Sequence, residues 1–341
     1  MSELIEWVFA QQRFGMKPGL ERVEALLKRL NYPDKNYDVV LVAGTNGKGS
    51  TASTLASILN TSGKRTGLFT SPHLTYFAER FQVDGEPVVE NVLLQALEHL
   101  KPHAEAVGAT FFEIVTVLGY DLFARAGVEI AVIEVGMGGR YDATNAADPV
   151  LSLLTNVSLD HTAILGSSVE KIAHDKAGIM RPQVPMFTAA TGAALAVLQS
   201  EAAAVGADLQ PLGAVEIDSM TWEGVRFSVE TDAGGLELHT PLLGEHQAKN
   251  VALAALAAQR LGVNERDIQR GVRETQWPGR LERLSYKGQT VLLDGAHNPA
   301  AAQALITTLK TLGADDIVMI LGSGADKDIE GVLTPLMSLK P

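Results

Sequence analysis

The stretch VVLVAGTNGKGSTASTLASIL, residues 39–59, runs from an unbroken apolar segment through a glycine-rich turn into a long helix-forming segment. Residues 39–43 are apolar without interruption, the pattern of a strand buried on both faces. Residues 44–50, GTNGKGS, place glycines where backbone N–H groups can curl around an anion, and the helix that follows adds partial positive charge. Strand, glycine loop and helix in that order predict a phosphate-binding loop. Lys48 would reach the outer phosphates of a nucleotide, and Ser50 or Thr51 could touch its metal ion. The strict spacing of the common phosphate loop is not met, because its first glycine would fall at Val42 and Gly49 separates Lys48 from Ser50. A glycine turn with a solvated lysine is the competing reading, and the flanking strand and helix argue against it.

Outward from this loop, short apolar runs alternate with helical patterns, as in an α/β fold built on a parallel sheet. Strands are expected at 66–70, 130–135 and 150–156, with helices at 112–126 and 168–179. Between 184 and 241 come a strand, an alanine-rich helix and short alternating runs (225–230, 236–239) that read as antiparallel strands. Helices follow at 245–261 and 265–274, and the breaker WPGR at 277–280 marks a domain boundary. Beyond it the order is strand (290–293), helix (300–312), strand (317–321) and the start of another helix, with 281–286 as a further candidate strand. The expected fold class is α/β: a phosphate-loop-type, mainly parallel sheet flanked by helices, plus a second, smaller Rossmann-like domain that looks C-terminally incomplete. Residues 1–279 form the first domain in this reading and 285–341 the second.

Composition narrows the function. A chain of 341 residues, 46% apolar and 20% charged, suits a soluble globular protein of two domains or one with an appendage. The formal charge of −12 argues against a nucleic-acid partner, which needs a basic stripe to neutralise phosphates. Small anionic substrates need only a local cluster of positive groups. The absence of cysteine excludes disulfides, thiolate zinc sites and cysteine nucleophiles, and fits a reducing compartment. Residues 1–14 carry Glu3, Glu6 and Arg13 within an apolar pattern, which suits an amphipathic helix rather than a signal peptide. No apolar run reaches membrane-spanning length, so a cytoplasmic protein without a membrane partner is expected.

In an open parallel sheet, ligands bind outside the carboxyl ends of the strands. Further strand ends here carry usable chemistry. Ser71-Pro72-His73 offers a hydroxyl suited to magnesium, although such a triplet alone is more often a plain turn. Glu134 opens EVGMGGR (134–140), and a carboxylate at the end of a buried strand is costly unless paired or bound to a cation. Magnesium prefers such hard oxygen donors; an ion pair with Arg140 is the competing reading. Asp160 and His161 follow the strand that ends near Asn156. Lys176 closes a predicted helix, where a solvated lysine is the commoner outcome. His99, His103 and His174 receive no role.

Taken in order, GTNGKGS (44–50), SPHL (71–74), EVGMGGRYDATN (134–145), LDHT (159–162), KAGI (176–179), PGRLE (278–282) and DGAHNP (294–299) resemble the folylpolyglutamate synthase/dihydrofolate synthase family of the Mur ligase superfamily. The resemblance extends to about Asp328, and the glycine-threonine start shared by the superfamily's phosphate loops accounts for the departure from the strict spacing. It implies a ligase that converts a pteroate or folate carboxylate to an acyl phosphate with ATP, then joins it to the amine of L-glutamate and releases ADP and phosphate. By position it implies Thr45, Asn46, Gly47, Lys48, Gly49 and Ser50 as the phosphate loop, with Asn250, Arg280, Asp294 and His297 also around the nucleotide. It implies Ser71, Glu134 and His161 as ligands of two Mg2+ ions, and Lys176 as a lysine that carries a carbamate in relatives. Phe111, Phe112, Glu113 and Ile114, with Tyr141, Asp142 and Ala143, match segments that line the pterin pocket. Catalysis would rest on Lys48, Glu134, His161 and Lys176, in a monomer whose partners are dihydropteroate or folate and L-glutamate. Relatives carry a longer C-terminal domain. Two other functions compete: a Mur-type ligase adding an amino acid to a cell-wall nucleotide, and an ATP-binding fragment without ligase activity.

Overall fold

β1 (Asp38–Ala43) lies inside an eight-stranded sheet in the computed structural model, which describes residues 2–15, 17–231, 234–314, 316–324 and 328–339. The sheet also contains β2 (Thr66–Phe69), β3 (Phe81–Val83), β4 (Glu86–Pro87), β5 (Ile130–Glu134), β6 (Leu151–Leu154), β7 (Pro185–Thr188) and β8 (Asp208–Pro211). Its order is β4-β3-β2-β5-β1-β6-β7-β8, parallel except where β3 and β4 join it. Val42 stands opposite Glu134 on β5 and Leu153 on β6. The loops after β1 and β6 and the Glu134 side chain therefore emerge together at the carboxyl edge.

The alternation of β1 builds two cores at once. Val39, Leu41 and Ala43 join the face covered by helices such as Glu90–Val107 and Phe111–Ala126. Val40 and Val42 join the face covered by Lys48–Thr61 and Glu245–Arg260. Successive strand residues point to opposite faces, so both parities must be apolar where helices cover both sides. A second, antiparallel sheet of β9 (Val215–Thr221), β10 (Gly224–Thr231) and β11 (Gly234–Thr240) packs Val225, Phe227 and Val229 into the second core.

The last unit consists of β12 (Glu282–Tyr286) and β13 (Gln289–Leu293) with the helices Pro299–Thr311 and Ile329–Leu336, which share Ala302, Ile306, Val332 and Leu336. It corrects two expectations drawn from the sequence. Its strands form an antiparallel hairpin, because Lys287 and Gly288 both take positive φ (50° and 78°) in the tight turn that reverses the chain. Residues 317–321 form no strand. Val318 and Ile320 are 92% and 96% exposed, while Met319 packs against the helices. An apolar run without a neighbouring strand to bond has contacts on one side but no ladder. The segment GSGADKD (322–328) includes residues 325–327, which lie outside the described residues. No described helix is long and apolar enough to cross a membrane.

Candidate active site

Gly44, at φ 145°, ends β1 where any side chain would collide with Thr155. From there the loop is fastened to the residues that follow β6. Thr155 Oγ1 and Asn156 Nδ2 donate to the Asn46 carbonyl at 2.6 and 2.8 Å, and the Asn46 N–H donates to Asn156 Oδ1 at 3.1 Å. Thr45 Oγ1 donates to the Ser158 carbonyl (3.2 Å) and accepts from its N–H (3.1 Å). Gly47 caps the helix Lys48–Thr61 without any side-chain bond, so the first N–H groups of the helix remain available to an anion. These residues, Thr45 to Ser50, line a cavity of about 1020 Å³. Lys48 is half-buried there, with Nζ 3.3 Å from the Thr45 carbonyl, which excludes a freely solvated lysine.

Glu134 projects into the same cavity and is only 5% exposed. Burial pushes its carboxyl above the ordinary range, while Lys48, a hydrogen bond from the Ser71 N–H (2.9 Å), Arg280 and Arg80 pull the other way. The competing pairing with Arg140 is not formed: Arg140 bonds Glu201 at 3.1 Å and the His174 carbonyl at 3.2 Å instead. Ser50 Oγ is buried and has no hydrogen-bond partner. A buried carboxylate, the adjacent Ser71 and an unpartnered Ser50 hydroxyl form a set of hard oxygen donors that fits magnesium. Among the described residues no group of three or more His, Asp or Glu side chains is placed to hold a metal ion. A metal here would therefore complete its ligands with water and nucleotide phosphates.

His161 also lines the cavity, with a left-handed backbone (φ 49°) and its N–H bonded to Asp160 Oδ1 at 2.9 Å. Lys176 is buried at 3% exposure, and its Nζ donates to the Gly44 carbonyl at 2.8 Å, so it is no surface lysine. Burial first, and the charge of Lys48 second, lower its pKa to about 7 against the pull of Asp175, Asp142 and Asp160.

The small unit contributes residues to the cavity beside the phosphate loop. Asp294 accepts the N–H groups of Leu281 and Ala296, both at 2.8 Å, and Arg280 and His297 line the cavity beside it. Asn298 Nδ2 donates to Asn46 Oδ1 (2.9 Å) and Asp160 Oδ2 (3.1 Å), while Asn46 Nδ2 donates back to Asn298 Oδ1 (3.2 Å). Asn250 packs so closely under Gly47 that a side chain at that glycine would strike its carboxamide.

Part of the cavity wall is made by Phe111, Phe112, Tyr141 and Ala143. Glu113 and Asp142 reach the cavity too, but their oxygens are engaged by protein. Glu113 accepts from the Thr110 N–H (2.7 Å) and from Arg22 (2.8 and 3.2 Å). Asp142 accepts from the Thr144 N–H and hydroxyl and from the Met137 N–H. Ile114 corrects the expectation made for it: at 1% exposure it turns into the core with Val117 and Leu118 and does not line the cavity. The i, i+3, i+4 spacing of those three residues places them on one helix face, turned away from Phe112. Reading the sequence missed Lys17, Arg80 and His246, which line the same cavity. The arginine within the aromatic run YFAERF (76–81) was an available signal for Arg80; nothing in the sequence marks the other two.

Comparisons with known proteins fit this arrangement. Residues 42–258 match the Mur ligase middle domain and residues 279–339 match the Mur ligase glutamate ligase domain. The chain is 40% identical over 344 residues to a Haloferax volcanii protein named probable bifunctional folylpolyglutamate synthase/dihydropteroate synthase, covering 96% of this chain and 40% of that one. It is 36% identical over 352 residues to the dihydrofolate synthase/folylpolyglutamate synthase of Bacillus subtilis, covering 98% and 82%. It thus spans two-fifths of the first relative's length and four-fifths of the second's. Among solved structures, an FPGS-AMPPCP-folate complex superposes with a TM-score of 0.90 at 34% identity, covering 99% of this chain and 86% of that one.

Proposed function

This chain belongs to the folylpolyglutamate synthase/dihydrofolate synthase family of the Mur ligases, and on that premise we propose that it uses ATP to join L-glutamate to a pteroate or folate carboxylate, releasing ADP and phosphate. The observation that carries this reading is one continuous cavity lined both by the phosphate loop and by Phe111 and Phe112. Glu134 interacts electrostatically both with Lys48 of that loop and with Arg80, which lies beside Phe111.

A carboxylate is a poor electrophile, so an acceptor oxygen first attacks the terminal phosphorus of ATP and the bond to the ADP oxygen breaks. The amine of glutamate then attacks the acyl carbon, and phosphate departs. Lys48 and the first N–H groups of the helix Lys48–Thr61 offset charge on the transferring phosphoryl group. Asn250, Arg280, Asp294 and His297 would hold the nucleotide. Ser71, Glu134 and His161 would hold Mg2+, which supplies positive charge at the phosphates when bound. Lys176, partly neutral near pH 7, has the free amine that carbamate formation with CO2 requires. Phe111, Phe112, Tyr141 and Ala143 would face the pterin ring, with Glu113 and Asp142 shaping that wall. Hinging at residues 277–280, between a first domain and the small unit, would exclude water from the acyl phosphate; the bridge from Asn298 to Asn46 supports such closure.

The test is to incubate the protein with MgATP, radiolabelled L-glutamate and either dihydropteroate or a reduced folate, with Lys48→Ala and Glu134→Gln as controls. Ligation of dihydropteroate alone marks a dihydrofolate synthase, and ligation of both acceptors marks a bifunctional enzyme. ATP binding with ligation of neither acceptor would sink the folate reading and favour a Mur-type ligase or a nucleotide-binding fragment.

A further inference from the structure

Arg80 lines the cavity, yet the reaction as assigned gives it no task. It closes the short helix Phe77–Arg80 and is 6% exposed. Its Nε donates to His73 Nδ1 at 2.8 Å, which fixes the plane of the guanidinium. The guanidinium carbon lies 5.9 Å from the Phe77 ring centroid and 5.7 Å from that of Phe111, an aromatic cradle that favours a cation. Among the described residues, neither Nη1 nor Nη2 bonds a protein acceptor. The two carboxylates that act on Arg80 through space have hydrogen bonds elsewhere. Glu79 takes the N–H groups of Leu74, Thr75 and Tyr76 at 2.7 to 3.0 Å, and Glu134 takes that of Ser71. A buried guanidinium with an open fork is costly unless a ligand completes it.

We propose that Arg80 is a carboxylate-binding subsite whose two outer nitrogens hold the reacting carboxylate of the acceptor between Phe111 and Glu134. The inference rests on the ligase reading above and names the group that receives the acid. A planar fork matches a planar carboxylate through two parallel bonds. The position selects the acceptor over the other two substrates. An aryl acid whose rings lie on Phe111 and Phe112 brings its carboxylate toward the guanidinium beside those rings, whereas nucleotide phosphates belong at Lys48. With the acid oriented there, one oxygen can point toward the phosphoryl group that Lys48 and Glu134 attend.

The experiment compares pteroate with its carboxamide, by calorimetry in EDTA without nucleotide, on the wild type, Arg80→Lys and Arg80→Ala. The wild type is expected to bind the acid at least tenfold tighter than the amide. Arg80→Ala should lose roughly 30-fold or more in affinity for the acid, bringing acid and amide together, with Arg80→Lys between them. MgATP affinity should change less than twofold in both variants. A wild type that binds acid and amide equally, or an Arg80→Ala variant that still discriminates, overturns the subsite. Because the acid–amide comparison on the wild type stands alone, variants that fail to fold do not rescue it. Binding of neither ligand by the wild type overturns the folate-acceptor reading, and the subsite with it.

Discussion

Lys176 shows how much a single buried residue can say about the site. With a pKa lowered to about 7, the folded chain releases a proton that the unfolded chain keeps up to the ordinary lysine value of 10.5. Between those values the unfolded state binds more protons, so stability attributable to this residue rises with pH, by up to about 1.4 kcal/mol per pH unit. Below pH 7 both states are protonated and the full burial cost is present. In degassed buffer, Lys176→Met should therefore be more stable than the wild type at pH 7, and the gap should shrink by pH 9 in calorimetric scans. An unchanged gap would mean that Lys176 titrates normally. A second residue prediction concerns Gly49, where an added Cβ would lie 2.5 Å from Cζ2 of Trp277. Gly49→Ala should cost about 1–3 kcal/mol through that overpacking and weaken MgATP binding. Trp277→Leu in the same background should restore part of both, as a double-mutant cycle of melts and calorimetry would show. Lys48 and Glu134 were legible in the sequence because strand ends and glycine loops advertise chemistry. Lys176 was not legible from its own pattern, since a lysine at a helix end looks solvated until the Gly44 carbonyl is seen above it.

At the scale of elements, the helix Phe111–Ala126 depends on its first turn. Thr110 and Glu113 form a capping box, and Glu113 also takes the fork of Arg22 from the helix Glu21–Arg29. One carboxylate thus anchors the aromatic wall of the cavity to the N-terminal helices. Glu113→Gln keeps an oxygen for the cap but loses the charge pair, and should cost about 2 kcal/mol. Glu113→Ala loses both, leaves Arg22 unpaired, and should cost more; urea denaturation gives the order wild type, Gln, Ala. If the Gln and Ala variants melt alike, the ion pair rather than the cap carries the effect. The helices and parallel strands around this wall were legible because each one's apolar pattern agrees with the neighbours it finally meets. The hairpin β12–β13 and residues 317–321 were not. Pairing direction depends on the Lys287-Gly288 turn, and strand formation depends on a bonding partner that an apolar run does not reveal.

For the molecule as a whole, the question is what holds the small unit over the phosphate loop. One direct polar link, beside the contact of His297 with Asp160 at 3.6 Å, is Asn298, which caps the helix Pro299–Thr311 through its bond from Ala301 N–H and also reaches Asn46 and Asp160. Cap and bridge can be separated chemically. Serine is a good N-cap but too short to span to Asn46, so Asn298→Ser should leave the melting temperature nearly unchanged while loosening the join. Tryptic cleavage after Arg280, within the 277–280 segment, should then accelerate several-fold, and saturating MgATP should suppress it if the nucleotide bridges the same surfaces. Product formation should fall through kcat more than through the KM for ATP, because closure follows binding. Unchanged cleavage would mean that the amide bridge contributes nothing to closure. The two units would then be held by the apolar contact in which Leu243 of the first meets Leu281 and Leu309 of the second, and Leu309→Ala would become the substitution that opens the cleft.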